Sequence, residues 1–424
     1  MDWNNKRILI VGKGVSGRAA YERLSRLGAL PVFYDDSNHE DDGAQYTYAQ
    51  VEGATWDCAV LSPGVRPEHP ILGVLARLGV PTMSEPDLAY LLFHGRIVAV
   101  TGTNGKTTTV RLVESMLRAA GIRAMAVGNI GQPLCAVRES LDVAVVEMSS
   151  FQCHQSVLFA PDVATITNIA PDHLEWHGSM EHYRHAKESL LRRAHAYALN
   201  LDDPDLPRVD NTPCFAYSLT DTTATVFVDK RIVWVRVGRD VHRVASVENL
   251  PLSGNHNLYN VMCALSLSVA VLGYRPAYAE AVMAYRGERM RTEQITFCRP
   301  YVFNDSKGTN TAATAAAMRQ MVGTTALLLG GYDKGEDYAR LMWQLPETTH
   351  IVTFGAAGER ICRAAREYGF ADAEYYPQLE PAVQRACLLD VDNILFSPSC
   401  SSFDAYTSYV ARGEHFEDLI RRYL

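Results

Sequence analysis

No Cys-x-x-Cys pair occurs among the nine scattered cysteines, so the spacing of a zinc ribbon is missing and no disulfide framework is suggested. The odd count in a long chain fits a reducing compartment, and a cytoplasmic location is expected. No apolar run approaches the roughly 18 residues of a membrane span; the longest stretch, 261–272, is interrupted by serines and suits a buried helix. Lys6-Arg7 is followed by only four apolar residues before Gly12, too few for a secretory signal. Basic charge is not in excess, since 40 Lys and Arg face 48 Asp and Glu. The net charge of −8 argues against a general nucleic-acid or membrane-surface binder. Repeats of solenoid period and low-complexity tracts are also absent. What remains is an ordinary globular composition, 47% hydrophobic and 21% charged, in 424 residues, too long for one typical domain.

The most informative stretch is 97–110. Ile97-Val98-Ala99-Val100 reads as a buried strand, broken at Thr101-Gly102-Thr103-Asn104-Gly105, with helix-forming sequence from Lys106 to Ala120. Strand, glycine turn and helix N-terminus make a phosphate cradle of free N–H groups. Lys106 adds a point charge for terminal phosphates, and the Thr107 hydroxyl can ligate Mg²⁺. The strict G-x-x-x-x-G-K-[ST] pattern is not met, because Val100 replaces its first glycine. A second strand, 142–146, delivers Glu147 at its C-terminal end, where a Walker-type ATPase holds Mg²⁺ with a carboxylate. A capping or solvated glutamate is the plainer alternative.

The chain opens with a βαβ pattern: strand 7–11, then Gly12-Lys-Gly14-Val-Ser-Gly17, then a helix with an apolar face of Val15, Ala19, Leu24 and Leu27. The next strand, 31–34, ends at Asp35, an acid about 20 residues on, which matches the dinucleotide fingerprint. Taken alone this segment favours NAD, although the loop suits any diphosphate, uridine diphosphate included. A strand ending at Ser62-Pro63-Gly64, helix 68–78, strand 80–83 and helix 86–93 complete a first domain, 1–93.

The second domain, 94–286, continues with strand 163–167 and a loop holding His173, then His177, His182 and His185. This cluster invites a zinc reading, which the absence of a cysteine partner disfavours. Lys187 lies on the helix expected over 180–193. A β-rich stretch, 224–247, precedes Gly254-Asn-His-Asn-Leu-Tyr-Asn260 and a long buried helix. Asn257 and Asn260 share one face of its first turn; they could grip an adenine edge or phosphate, or simply cap the helix. The third domain, 287–424, repeats the strand–turn–helix theme. Strand 301–303 runs into Asn304-Asp305-Ser-Lys307-Gly-Thr309; strand 326–329 ends in Gly330-Gly-Tyr-Asp-Lys334; a βα unit covers 351–367; helix 378–389 follows; strand 393–396 ends in Ser-Pro-Ser-Cys-Ser-Ser402-Phe403-Asp404. Polar clusters at successive strand ends form the usual crevice of an open α/β sheet.

Over nearly its full length the chain resembles the Mur ligases of peptidoglycan synthesis. The shared marks are Thr-Gly-Thr-Asn-Gly-Lys-Thr-Thr (101–108), Gly-x-His-Asn-x-x-Asn (254–260) and Asp305-Ser-Lys. The 12–17 loop, Glu147-Met-Ser-Ser-Phe-Gln152 and Ser-Pro-Ser-Cys-Ser-Ser-Phe-Asp404 look like the member that adds D-glutamate to UDP-N-acetylmuramoyl-L-alanine. The resemblance implies an α/β protein of three domains: Rossmann-like, P-loop-type ATPase with a mostly parallel sheet, and Rossmann-like.

It also implies an ADP-forming amide ligase working through an acyl phosphate, and it turns the first loop from NAD to UDP. Val15, Ser16, Asp35, Asp36, Ser62 and Asn129 would then bind the UDP-sugar. Gly102, Thr103, Asn104, Gly105, Lys106, Thr107, Thr108, Asn257, Asn260, Arg291 and Asp305 would surround ATP. Thr107 and Glu147 would hold a first Mg²⁺ and His173 a second. Lys187 matches the family lysine that carries a CO₂-derived carbamate and would become a metal ligand. Lys307, Thr309, Lys334, Ser402, Phe403 and Tyr409 would face D-glutamate, with Lys307 close to the reacting phosphates. One departure is Met290-Arg291-Thr292-Glu293, where the family usually has His-Arg-x-Glu. A monomer without nucleic-acid partner or membrane insertion is expected, with hinges near 286–292 and near 94. The competing readings are another amino-acid-adding ligase of the same type, a folylpolyglutamate-type ligase, a nucleotide-gated binding protein and, weakest, an NAD-dependent oxidoreductase.

Overall fold

The computed structural model describes every residue except Met1, 37–44, 138–139, Ser253, Glu288, Phe297 and Lys334, and of Glu175 only the backbone. The chain divides into two compact units, Met1–Tyr285 and Arg286–Leu424.

The first unit contains two sheets. Strands β1 (Arg7–Val11), β2 (Leu30–Tyr34), β3 (Cys58–Leu61) and β4 (Thr82–Ser84) form an all-parallel sheet in the order β2-β1-β3-β4. Strands β5 (Arg96–Thr101), β6 (Ala124–Gly128), β7 (Val143–Glu147), β8 (Val163–Ile166), β9 (Ala196–Asn200), β10 (Cys214–Ser218), β11 (Val226–Asp229), β12 (Ile232–Val237) and β13 (Asp240–Ser246) form the second. Its order is β13-β12-β11-β10-β9-β8-β5-β7-β6, parallel from β6 to β11 and antiparallel at β12 and β13. The central strands are buried on both faces, which explains their unbroken Val, Ala and Ile runs. On one face, helix Lys106–Ala119 buries Val110, Val113 and Met116 in a cluster with Val261, Met262 and Leu265 of helix Asn255–Leu272.

One hydrophobic cluster takes in Ile8, Ile10 and Leu88 together with Ile97, Val146 and Leu190, so it is shared by both sheets. Polar struts reinforce it. The buried Asp87 carboxylate, in helix Glu85–Leu92, accepts from the N–H groups of Ser84, Val157, Leu158 and Phe159. Glu85 accepts from the Cys135 N–H at 2.7 Å, and Ser84 and Ser156 share a hydroxyl bond. The two sheets on either side of residue 94 thus lie in one compact unit, and the boundary between the units falls at Tyr285–Arg286.

In the second unit β14 (Glu293–Gln294), β15 (Tyr301–Asn304), β16 (Thr325–Gly330), β17 (Thr349–Phe354), β18 (Glu374–Tyr376) and β19 (Asn393–Ser399) form a sheet ordered β14-β15-β19-β16-β17-β18. Only β14 runs antiparallel to its neighbour. Separate cores cover the two faces, one holding Leu327, Ile361 and Leu395, the other Leu328, Ile394 and Phe416. This is the doubly wound arrangement of a Rossmann-like sheet. Among the described residues no helix is long and apolar enough to cross a membrane.

Two local expectations are corrected. The first helix begins at Val15, before Gly17, and its buried face is Gly17, Ala19, Ala20 and Leu24. Val15 is 72% exposed because it lies in the first turn beside the glycine loop, and Leu27 ends up at the surface beyond the last turn. The helix expected at 68–78 spans Pro70–Arg77; His69 stays outside as its N-cap, and Pro70 occupies the first position, where a missing N–H costs nothing.

Candidate active site

The phosphate loop joins β5 to helix Lys106–Ala119, and two of its glycines are structurally required. Gly102 (φ +143°) passes so close to Thr167 that a Cβ would strike its hydroxyl, and Gly105 (φ +81°) lies directly against the Asn260 carboxamide. Asn260 is thereby placed on the loop, and its amide reaches Asn257 at 3.4 Å. The segment after β8 holds the loop from the other side. The Thr103 N–H donates to the Asn168 carbonyl at 2.9 Å, the Asn104 N–H to Asn168 Oδ1 at 3.0 Å, and Thr167 Oγ1 to the Asn104 carbonyl at 2.6 Å.

Beneath the loop, Thr107 Oγ1 donates to Glu147 Oε2 at 2.7 Å, and Asn129 Nδ2 donates to Glu147 Oε1 at 3.0 Å. Register makes this possible, because Glu147 closes β7 opposite Val100 of β5. Both Thr107 and Glu147 are buried, and two oxygens of these types at this separation fit a hard divalent cation. Asn129, assigned to the sugar nucleotide by resemblance, thus sits on the acidic residue of the phosphate site. Lys106 folds back so that Nζ donates to the Gly102 and Thr103 carbonyls at 2.8 and 2.9 Å.

Lys187 comes from helix Met180–Arg193 and is 1% exposed. Its Nζ donates to the Gly102 carbonyl at 2.9 Å and lies 4.6 Å from the centre of the Tyr183 ring. Burial, with Lys106 nearby, lowers its pKa from 10.5 to about 7. Tyr183 bonds Thr103 through its hydroxyl at 2.9 Å and was not anticipated; its spacing four residues before Lys187 was the available signal. His173 caps the short helix Leu174–His177 in a left-handed conformation (φ +52°), its ring 4.9 Å from that of Phe151. Two of the other histidines make local bonds: His177 bonds Ser150 Oγ, and His182 Nδ1 meets the His177 carbonyl. Among the described residues no group of three or more His, Cys, Asp or Glu could hold a metal ion.

At the C-terminal edge of the first sheet a cavity of about 370 Å³ is lined by Gly12, Gly14, Val15, Ser16, Asp35, Asp36 and Ser62, and also by Tyr34 and His69. Ser62 Oγ donates to the Gly12 carbonyl at 3.0 Å, and Asp35 Oδ2 accepts from the Lys13 N–H at 2.6 Å, fixing the glycine turn. Gln155 donates to the Val65 carbonyl at 2.8 Å and so ties the cavity wall to the second sheet. Val15, Ser16, Asp35, Asp36 and Ser62 are brought together here, whereas Asn129 lies at Glu147 instead; Tyr34 and His69 are additions.

The second unit gathers its own polar cluster at the ends of β15 and β19. Asp305 is buried, with Oδ2 accepting from Ser397 Oγ at 2.7 Å and Oδ1 from the Thr292 N–H at 3.1 Å. Burial outweighs these donors and pushes its pKa up to about 7. Arg291 stands between Met290 (φ +62°) and Thr292 (φ +49°), a turn pinned by the Lys307 N–H on the Met290 carbonyl. Met290, in the place of the family histidine, is buried against Gly413. Lys307 Nζ lies 5.1 Å from the Tyr409 ring centre. Ser402 is buried, Phe403 is 72% exposed, and Lys334 lies outside the described residues. Arg412 was not foreseen. Fully buried, it donates to the Ser306, Cys400 and Ser401 carbonyls, binding the Asp305–Lys307 loop to the loop after β19.

Comparison with known proteins agrees with this geometry. Residues 100–268 match the family model described as the Mur ligase middle domain, and residues 289–400 match Mur ligase, glutamate ligase domain. The chain belongs to the Mur ligase family, ATP-dependent enzymes that form amide bonds. Within it, the chain is 32% identical over 453 residues to UDP-N-acetylmuramoylalanine–D-glutamate ligase of Alkaliphilus oremlandii, covering 99% of each chain. To the protein of the same name from Lachnoclostridium phytofermentans it is 33% identical, again with 99% of each chain covered. Solved structures with the same fold include the MurF ligase of Thermotoga maritima in complex with ADP (TM-score 0.61, 14% identity, 100% of both chains). Another is the pseudomurein peptide ligase type C of Methanothermus fervidus (TM-score 0.60, 17% identity, 99% of this chain and 100% of that one).

Proposed function

We propose that this ligase adds D-glutamate to UDP-N-acetylmuramoyl-L-alanine at the expense of ATP, in cytoplasmic peptidoglycan precursor synthesis. The observation that carries the reading is the Thr107–Glu147 pair set under the 101–105 loop, in a chain collinear with relatives named for that reaction. A carboxylate is a poor acyl donor: its charge repels an amine, and oxide does not leave. Transfer of the ATP γ-phosphoryl to the L-alanyl carboxylate makes an acyl phosphate. The amine of D-glutamate attacks its carbonyl carbon, the C–O bond breaks, phosphate departs with the electron pair, and the ammonium proton is lost to solvent.

The loop N–H groups and Lys106 would hold the β- and γ-phosphates, placing charge stabilisation where it develops. Thr107 and Glu147 would hold Mg²⁺, which neutralises phosphate charge when bound; His173 is assigned to a second ion. Lys187, half neutral near pH 7, is suited to attack CO₂: an N–C bond forms, a C=O electron pair moves to oxygen, and a proton leaves nitrogen. Such a carbamate would replace a cation that repels Mg²⁺ with an anionic group able to help hold it.

Gly102 to Thr108, Asn257, Asn260, Arg291 and Asp305 are assigned to ATP. Val15, Ser16, Asp35, Asp36, Ser62 and Asn129 are assigned to the UDP-sugar. Lys307, Thr309, Lys334, Ser402, Phe403 and Tyr409 are assigned to D-glutamate. The domains would be 1–93, 94–286 and 287–424, in a monomer. The test is phosphate release from ATP with UDP-N-acetylmuramoyl-L-alanine and a panel of D-glutamate, L-glutamate, L-lysine and D-alanine. Stimulation by D-glutamate alone, with a product one glutamyl residue heavier, is expected. Stimulation by another amino acid would move the enzyme along the pathway, and none would remove the assignment.

A further inference from the structure

The first-sheet cavity contains a hydrogen-bond relay in which each partner has one defined role. His69 Nδ1 accepts the Ile71 N–H at 3.2 Å, as the cap of helix Pro70–Arg77. In the neutral ring the proton therefore sits on Nε2, which faces Asp36 Oδ2 at 2.7 Å. The other Asp36 oxygen accepts from the Tyr34 hydroxyl at 2.9 Å. Among the described residues each oxygen thus has one protein donor, and a carboxylate oxygen can accept more than one. The His69 side chain is 19% exposed and that of Asp36 68%, so the relay is anchored inside and its acceptor end is open. These donors hold Asp36 below the usual carboxylate range, which keeps it an acceptor.

We propose that His69 is a positioning residue for the nucleoside end of the sugar nucleotide, holding the Asp36 carboxylate toward the cavity as acceptor for a base N–H or a ribose hydroxyl. The inference rests on the cavity being the nucleotide site. The chemistry it selects is that of a nucleoside diphosphate. The Gly12–Gly17 turn, fixed by Asp35 and Ser62, offers backbone N–H groups for the diphosphate, and Asp36 takes a donor at the opposite end. His69 touches no reacting atom, and its effect passes through Asp36.

The imidazole's two duties can be separated in the full-length enzyme by titration with UDP. In His69→Asn the amide oxygen occupies the place of Nδ1 and keeps the Ile71 cap, but nothing reaches Asp36. Its melting temperature should match the parent's. UDP affinity should fall roughly tenfold, and KM for the sugar nucleotide should rise without change in KM for ATP. In His69→Gln the longer amide still reaches Asp36 and should restore UDP affinity while the cap, and some thermal stability, is lost. Tyr34→Phe removes the second donor by an independent route and should weaken UDP in the same direction. Equal UDP affinity in the parent, His69→Asn and Tyr34→Phe would overturn the inference alone. A parent that does not bind UDP would overturn the nucleotide-site reading and the inference with it.

Discussion

Lys187 and Lys106 direct their ammonium groups at one carbonyl, that of Gly102, at 2.9 and 2.8 Å. Burial first, and then the repulsion of Lys106, loosens the Lys187 proton. Loss of the Lys187 charge would relieve the repulsion between the two ammonium groups.

The reactive amine at Lys187 should therefore be sensitive to pH and CO₂. With a pKa near 7, its neutral fraction falls as pH drops below 7. Activity after bicarbonate depletion should decline more at pH 6 than at pH 8 and return on adding bicarbonate. Intact mass should show one added CO₂, with a matching ¹³C signal. Full activity in Lys187→Ala, with no carbamate signal, would end the proposal.

Glu85 gives a stability effect of defined sign. Burial raises its pKa from 4.5 to about 7, so the folded state prefers the protonated acid. A raised pKa contributes stability that is complete below pH 4.5 and is lost as pH rises through 7. Glu85→Gln keeps an acceptor for the Cys135 N–H and removes the titration. Urea unfolding should find the variant more stable than the parent at pH 8, by up to about 3 kcal/mol, with the gap closing toward pH 4.

Gly105 and Gly121 have nearly the same φ, +81° and +80°, but only Gly105 faces a neighbour, Asn260, while a Cβ at Gly121 meets open space. Alanine at Gly121 should cost about 1 kcal/mol of stability and leave ATP turnover alone. Alanine at Gly105 adds a clash with the carboxamide and should raise KM for ATP roughly tenfold or more. Equal kinetics in the two variants would show that Asn260 does not define the loop.

Asp87 accepts four N–H groups, and an amide in its place would turn one acceptor into a donor aimed at donors. Asp87→Asn should destabilise the first unit by about 2–4 kcal/mol in chemical denaturation. Differential hydrogen exchange should place the loosening at residues 156–159.

The phosphate loop was legible because its signal is local: an apolar strand, a glycine turn and Gly-Lys-Thr-Thr follow one another directly. Glu147 was legible for a similar reason, since a strand's end is marked by the change from Val to Glu. Strand β10, with its mixed Cys-Phe-Ala-Tyr-Ser, carries no such period and escaped notice. Strand β19 was expected to stop at Phe396 but runs through Pro398 to Ser399, because its pairing with β16 shifts register there and tolerates the missing N–H. The relations of His69 to Asp36, 33 residues apart, and of Arg412 to Ser306, 106 residues apart, exist only in space. Nothing in either neighbourhood announces its partner.

The Asp87 strut has a further consequence. By joining the first sheet to the second, it fixes the spacing between the glycine turn at 12–17 and the loop at 101–105. If, as proposed, the sugar nucleotide lies in the first and presents its carboxylate at the second, that fixed spacing would sort substrates by length before any side chain reads their chemistry.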